Sequence, residues 1–134
     1  MRTLSFFGMF AVLLLSGCGN KTYPVRGQVV FEDGTPANEL AGYAIMFQSE
    51  EHKTSAAGTI QPDGTFSVGT HTDTDGAMLG KQRVAITPPV PVIHVRRPPS
   101  LIHERYGDFD TSQLEIEIKP GTNQPTITVD RAKK

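Results

Sequence analysis

The stretch Val25-Arg26-Gly27-Gln28-Val29-Val30-Phe31-Glu32-Asp33-Gly34 decides the fold. Val25, Gly27, Val29 and Phe31 fall on one side of an extended chain and Arg26, Gln28 and Val30 on the other, because successive strand side chains point to opposite faces. Glu32-Asp33-Gly34 then supplies turn chemistry, with an Asp that bonds its own backbone and a Gly that accepts positive φ. The same unit recurs along the chain. Tyr43, Ile45 and Phe47 alternate with Ala44, Met46 and Gln48. Thr54 to Ile60 is poor in large side chains and is expected as an edge or twisted strand. Pro62-Asp63-Gly64 is a hairpin signal, with Phe66 and Val68 inward after it. Val84 and Ile86 carry the next strand. Leu114, Ile116 and Ile118 alternate with Glu115, Glu117 and Lys119, Pro120-Gly121 turns, and Ile127 and Val129 close the series.

Seven short strands result, and no stretch keeps a helical period. Thirteen Gly and ten Pro among 134 residues, with no Trp, agree with a turn-rich all-β chain. One apolar face per strand implies a seven-stranded antiparallel β-sandwich of two sheets packed face to face. Each inward Ile, Leu or Phe contributes roughly 1.5 to 3 kcal/mol by burial, so Ile116→Asp is expected to unfold the domain and Glu117→Ala is not. A net charge of −1 supplies no cationic surface for nucleic acid.

Ahead of the strands lies a different kind of segment. Arg2 gives positive charge, Leu4 to Leu15 is an apolar run of 12 residues, and Ser16 and Gly17 are small. A membrane span needs roughly 20 apolar residues, so the run reads as the core of a cleaved signal peptide over residues 1–17. Cys18 is the only cysteine, which excludes an intramolecular disulfide. Leu15-Ser16-Gly17-Cys18 resembles the lipobox of bacterial lipoproteins. That resemblance implies a diacylglyceryl thioether on Cys18, cleavage before it and acylation of the new amino end. Several acyl chains anchor stably where one does not. Residues 18–22 then form a lipidated tether, whose four residues after Cys18 reach only about 14 Å. Gly19 stands where the inner-membrane retention signal has Asp, so the resemblance favours the outer membrane over the inner.

The order of the downstream pieces resembles the transthyretin-like (prealbumin-like), or carboxypeptidase regulatory-like, Greek-key β-sandwich of small bacterial lipoproteins. The matching stretches are Tyr23 to Val29 with Asp33-Gly34-Thr35-Pro36, Pro62-Asp63-Gly64-Thr65-Phe66, Asp75 to Lys81 leading into Val84 to Pro89, and Tyr106 to Thr122. Gln82-Arg83 departs from the pattern, standing where an aromatic residue is common. The resemblance covers nearly all of residues 23–131, the expected sandwich domain.

Thr87 to Asp110 breaks the strand pattern. Pro88 to Pro99 holds five of the ten prolines together with Val90, Val92, Ile93 and Val95. Long loops without structure are either functional or disordered, and repeated Pro favours polyproline geometry. Two readings stay open: a crossover strapped along the sheet and anchored by Tyr106, or a partner-binding segment displaying His94, Arg96 and Arg97. Other chemistry is poorly supported. His71-Thr72-Asp73-Thr74-Asp75-Gly76 imitates a calcium loop, but Gln82 occupies the twelfth position and no helix flanks it, so it reads as a polar turn. His52, His71, His94 and His103 form no HxH or HExxH pair. Glu115 and Glu117 share an outward strand face, which needs acids for solvation in any case. Intradiol dioxygenases and hydroxyisourate hydrolases share this type of sandwich, but the chain lacks the His-x-His element of the first and the Tyr-Arg-Gly-Ser end of the second. The expectation is a non-catalytic module with no cofactor or metal, held at the cell envelope by acyl chains on Cys18. It would mediate protein interactions or, alternatively, bind carbohydrate.

Overall fold

The computed structural model describes residues 21–91, 93–96 and 98–133. The expected signal peptide, Cys18 and Arg97 lie outside the described residues. Nine strands are present: β1 (Thr22–Tyr23), β2 (Arg26–Phe31), β3 (Ala44–Ser49), β4 (Thr54–Thr59), β5 (Thr65–Gly69), β6 (Ala77–Met78), β7 (Gly80–Thr87), β8 (Leu114–Ile118) and β9 (Thr126–Val129). Two short 3-10 turns, Asn38–Leu40 and Glu104–Gly107, interrupt the connections. The protein is all-β.

Seven strands form one continuous mixed sheet in the order β8-β7-β3-β4-β5-β2-β9, and β1 pairs with β6 beside it. The expected antiparallel pairing is found at β2·β5, β3·β4, β3·β7, β4·β5 and β7·β8, whereas β2 and β9 run parallel, Gln28 opposite Thr126 and Phe31 opposite Val129. The reason lies in the connection after β8. Pro120-Gly121 does not fold β9 back onto β8; Asn123 carries the chain to the other edge. The Asn123 side chain accepts from Lys119 N–H at 2.9 Å and donates to the Lys119 carbonyl at 2.8 Å. Its backbone exchanges bonds with Pro24 and Arg26, each at 2.9 Å. The chain is thereby delivered beside the entry to β2, pointing the same way.

The sheet curls until its halves face one another, close to a barrel. Phe47 of β3 meets Phe66 of β5 edge to face, centroids 5.9 Å apart and planes at 88°, a geometry that suits the ring quadrupoles. Val25, Val29, Phe31, Ile45, Ile60, Val68, Val84, Ile86, Ile127 and Val129 complete the buried interior. On β8 only Ile118 is buried; Leu114 and Ile116 are half-buried at the edge. Ile116 is therefore a weaker core position than its alternation suggests.

Of the two expectations for Thr54 to Ile60, an edge strand or a twisted one, the edge needs correcting, because β4 sits between β3 and β5. Its poverty in side-chain bulk serves the tightest point of the curl. Ala57 pairs with Gly69 and Gly58 with Val68, and these two pairs are the whole β4·β5 register. A Cβ on Gly58 would overlap the Ser67 carbonyl oxygen and come within 2.9 Å of its carbon. Only glycine lets the two backbones approach so closely.

Two turns share one design. In Asp33-Gly34-Thr35 and Asp63-Gly64-Thr65 the Asp carboxylate accepts from the N–H and the hydroxyl of the Thr two residues on. The glycines take φ of 84° and 81°. Asp33 is held at a pKa of about 2 by the Thr35 hydroxyl first and then the Thr35 N–H. Asp63 lies below its ordinary value through the same contacts with Thr65.

Candidate functional site

β7 runs the length of the molecule and separates its two ends. Its first residue, Gly80, follows β6, which pairs with β1, so Lys21 and the start of the described chain lie at that end. Its last residue, Thr87, opposes Ala44 and releases the Pro-rich segment at the other end. Eight strand residues span about 23 Å at ~3.3 Å per residue.

The segment after β7 divides into two parts. From Leu101 onward it is strapped down. Leu101 N–H donates to the Tyr43 hydroxyl at 3.1 Å, Ile102 is buried and bridges Arg131, and Tyr106 is buried under the sheet end. The Tyr106 hydroxyl accepts from Asp130 N–H at 3.0 Å and from Arg105 Nη2 at 2.8 Å. Arg105 Nη2 also pairs with Asp130 at 2.8 Å. A 3-10 turn forms in this half, and its N-cap His103 accepts from Arg105 N–H through Nδ1.

The first part stands out from the body. Val90 is 85 % exposed, Ile93 81 % and Val95 63 %, whereas Ile102 is 1 % exposed. His94 and Arg96 are exposed, and His94 turns the chain with φ of 79°. No Asp or Glu occurs between Asp75 and Glu104, so Arg96 and Arg97 are the only formal charges in the loop. A cleft of ≈ 340 Å³ lies at the base, lined by Ile86, Pro88, Pro98, Pro99, His103 and Glu104 among others. A second, of ≈ 380 Å³, adjoins it and reaches Lys133.

The remaining candidates are placed separately. Among the described residues no three His, Cys, Asp or Glu side chains gather as a metal group. Asp75 serves the turn: burial, which would raise its pKa, is outweighed by hydrogen bonds from the N–H groups of Thr70, His71 and Thr72, and its carboxyl titrates below the ordinary value. Those bonds include Thr70 N–H at 2.7 Å. Glu115 is exposed and pairs loosely with Lys81 at 3.7 Å, a contact of little energetic worth. Arg83, where an aromatic residue was expected, is a polar clasp. It reaches Glu50 and Asp110, each at 2.6 Å, and Gln48 at 3.2 Å. Its neighbour Gln82 is buried and donates to the Met78 carbonyl at 2.9 Å. Tyr43 and Tyr106 are buried and Tyr23 is half-buried with Lys21 over its ring. No local pattern signals that Tyr43 clamps the loop, because the pairing spans 58 residues. Among the described residues no helix is long and apolar enough to cross a membrane.

No family model matches the chain. No curated protein matches it either. Among solved structures it is similar to a DUF3823 family protein from Parabacteroides merdae ATCC 43184, with 15 % identity and a TM-score of 0.49 over 83 % of this chain and 47 % of that one. The chain thus spans about half the length of that protein, at 47 %.

Proposed function

We propose that the chain is a lipid-anchored module of the cell envelope, built on a Greek-key, transthyretin-like sandwich, which docks a partner protein and performs no catalysis. The observation that carries the docking role is the contrast within one connection. Ile102 and Tyr106 are buried and the Leu101 amide is bonded to Tyr43, while the residues before them hold Val90, Ile93 and Val95 in water. Apolar side chains grouped on one projecting loop mark an interaction site more often than singly exposed ones do. The anchoring role rests on Leu15-Ser16-Gly17-Cys18 after an apolar run. The outer membrane is the favoured address because Gly19, not Asp, follows the cysteine. Carbohydrate binding is the weaker alternative, since two of the three tyrosines are buried and there is no Trp to offer a sugar a platform.

Metabolic labelling with a fatty-acid analogue and fractionation of cells expressing the wild type and Cys18→Ala test the anchor. The wild type should label and partition with membranes, and Cys18→Ala should stay unlabelled. Equal labelling of the two would remove the anchor from the proposal. A glycan array probed with the protein in detergent tests the alternative. Binding that disappears in Tyr23→Ala would replace protein docking with carbohydrate recognition.

A further inference from the structure

We infer that Pro88–Pro91, with the apolar and basic residues after it, is a preformed polyproline-II ligand for an aromatic-lined, acid-rimmed groove on a partner protein. This deepens the docking reading above and rests on it. Prolines at 88, 89 and 91 each fix φ near −65°, and the residues before them, Thr87, Pro88 and Val90, are biased to extended backbone. Three of four consecutive residues thus carry the φ of the polyproline conformation before any partner arrives, and Pro88 and Val90 are biased to its ψ as well. Such a segment loses little freedom on binding, and its recognised complement is a groove of aromatic rings.

Both ends of the loop are clamped at one place. Thr87 opposes Ala44, and Leu101 N–H is held by the hydroxyl of Tyr43, the adjacent residue. Between these clamps Pro89, Val90, Ile93, His94, Val95 and Arg96 are exposed, while Pro88 and Pro91 are half-buried. The charge of the loop is carried by Arg96 and Arg97 with no acid nearby in sequence, which calls for carboxylates on the rim of the complementary surface.

Three other occupants fit less well. The bilayer that would hold Cys18 lies at the wrong end: the three residues from Cys18 to Lys21 reach at most about 11 Å, and the loop leaves at the far end of the ~23 Å strand β7. The same distance excludes residues 18–20, and residues 1–17 are cleaved away on the reading proposed above. A second copy has no groove of exposed aromatic rings to offer among the described residues, because Phe31, Tyr43, Phe47, Phe66 and Tyr106 are buried and Tyr23 and Phe109 are only half-exposed.

The test places a photo-crosslinking amino acid at Val90, and separately at Ile93, in the full-length protein in its own cells. Gln124, exposed at the opposite end, is the control position. The expected result is one discrete protein adduct from positions 90 and 93 and not from 124, with the crosslink mapping by mass spectrometry to a segment bearing aromatic residues and Asp or Glu. A synthetic peptide of residues 87–100 should compete for the adduct. Its Pro88→Ala/Pro91→Ala version should compete at least tenfold less well, and so should its Arg96→Glu version. An adduct to phospholipid, an adduct to a second copy, no adduct, or equal competition by the proline-free peptide would each overturn the inference. The anchor is read independently from Cys18→Ala. If that variant is released yet still forms the adduct, docking stands whatever holds the protein; an anchored protein with no adduct gives the reverse.

Discussion

Gly58→Ala removes no contact and introduces one methyl group, yet it should be among the most damaging single changes in the domain. The added Cβ would overlap the Ser67 carbonyl oxygen and lie 2.9 Å from the carbonyl carbon, against about 3.5 to 4.0 Å for comfortable carbon contacts. Neither partner is a side-chain tip that can swing away, so the β4 and β5 backbones must part by about an ångström. Parting them breaks a junction of only two residue pairs. Overpacking of this kind costs about 1 to 3 kcal/mol, and the lost ladder hydrogen bonds add about 1 kcal/mol each. A total near ~3 kcal/mol is a large share of a typical domain's stability. At ~4 °C per kcal/mol it lowers Tm by about 12 °C. Gly107→Ala is the control, since nothing lies within 4 Å of a Cβ there and its φ is not positive. Thermal melts followed by far-ultraviolet circular dichroism decide the matter. Equal melting of Gly58→Ala and Gly107→Ala would refute the close β4·β5 approach.

Further tests use the same preparation. Asp33 and Asp63 have folded pKa values below the ordinary 3.8, that of Asp33 about 2, so their contribution is complete above roughly pH 4 and is lost as pH falls toward 2. Melts at stepped pH should show stability declining through that window, and Thr35→Val with Thr65→Val, by returning both carboxyls toward 3.8, should lower stability at neutral pH and flatten that decline. Ile118→Asp places a charge in the buried interior and should abolish cooperative unfolding, whereas Ile116→Asp, half-buried on the edge strand, should cost only about 1 to 2 kcal/mol in urea titration. Asn123→Ala removes the side-chain bonds that steer the chain from β8 to β9 and should cost about 2 kcal/mol by the same titration. Tyr43→Phe leaves the ring but frees the Leu101 amide, and hydrogen exchange at that amide should quicken with little change in Tm.

The strands were legible because their information is local. Alternation marked the strands of the large sheet other than β4, and Asp33-Gly34-Thr35 and Asp63-Gly64-Thr65 announced their turns through side chains bonding two residues away. Long-range pairing was not legible. The small residues of β4 look like the mark of an edge, and only the approach of Ser67 explains why a central strand needs them. Pro120-Gly121 reads as a hairpin, and the contact that sends β9 elsewhere joins Asn123 to Pro24. The β1·β6 ladder has two pairs, too few for any period to register. At the loop, composition located the unusual segment. The division between Ile93 in water and Ile102 in the core depends on Tyr106, an anchor already expected from the sequence, and on Tyr43, which no local pattern links to it.

The parallel pairing of β2 with β9 has a consequence for how the chain comes to be folded. The second strand along the described chain has as its neighbour the last, so one side of β2 remains an open row of donors and acceptors until nearly all the polypeptide is present. Contacts of such long sequence separation form slowly, because the entropy of closing the intervening chain is lost before they are gained. Among the described strands β9 is therefore the one whose arrival closes the row on β2.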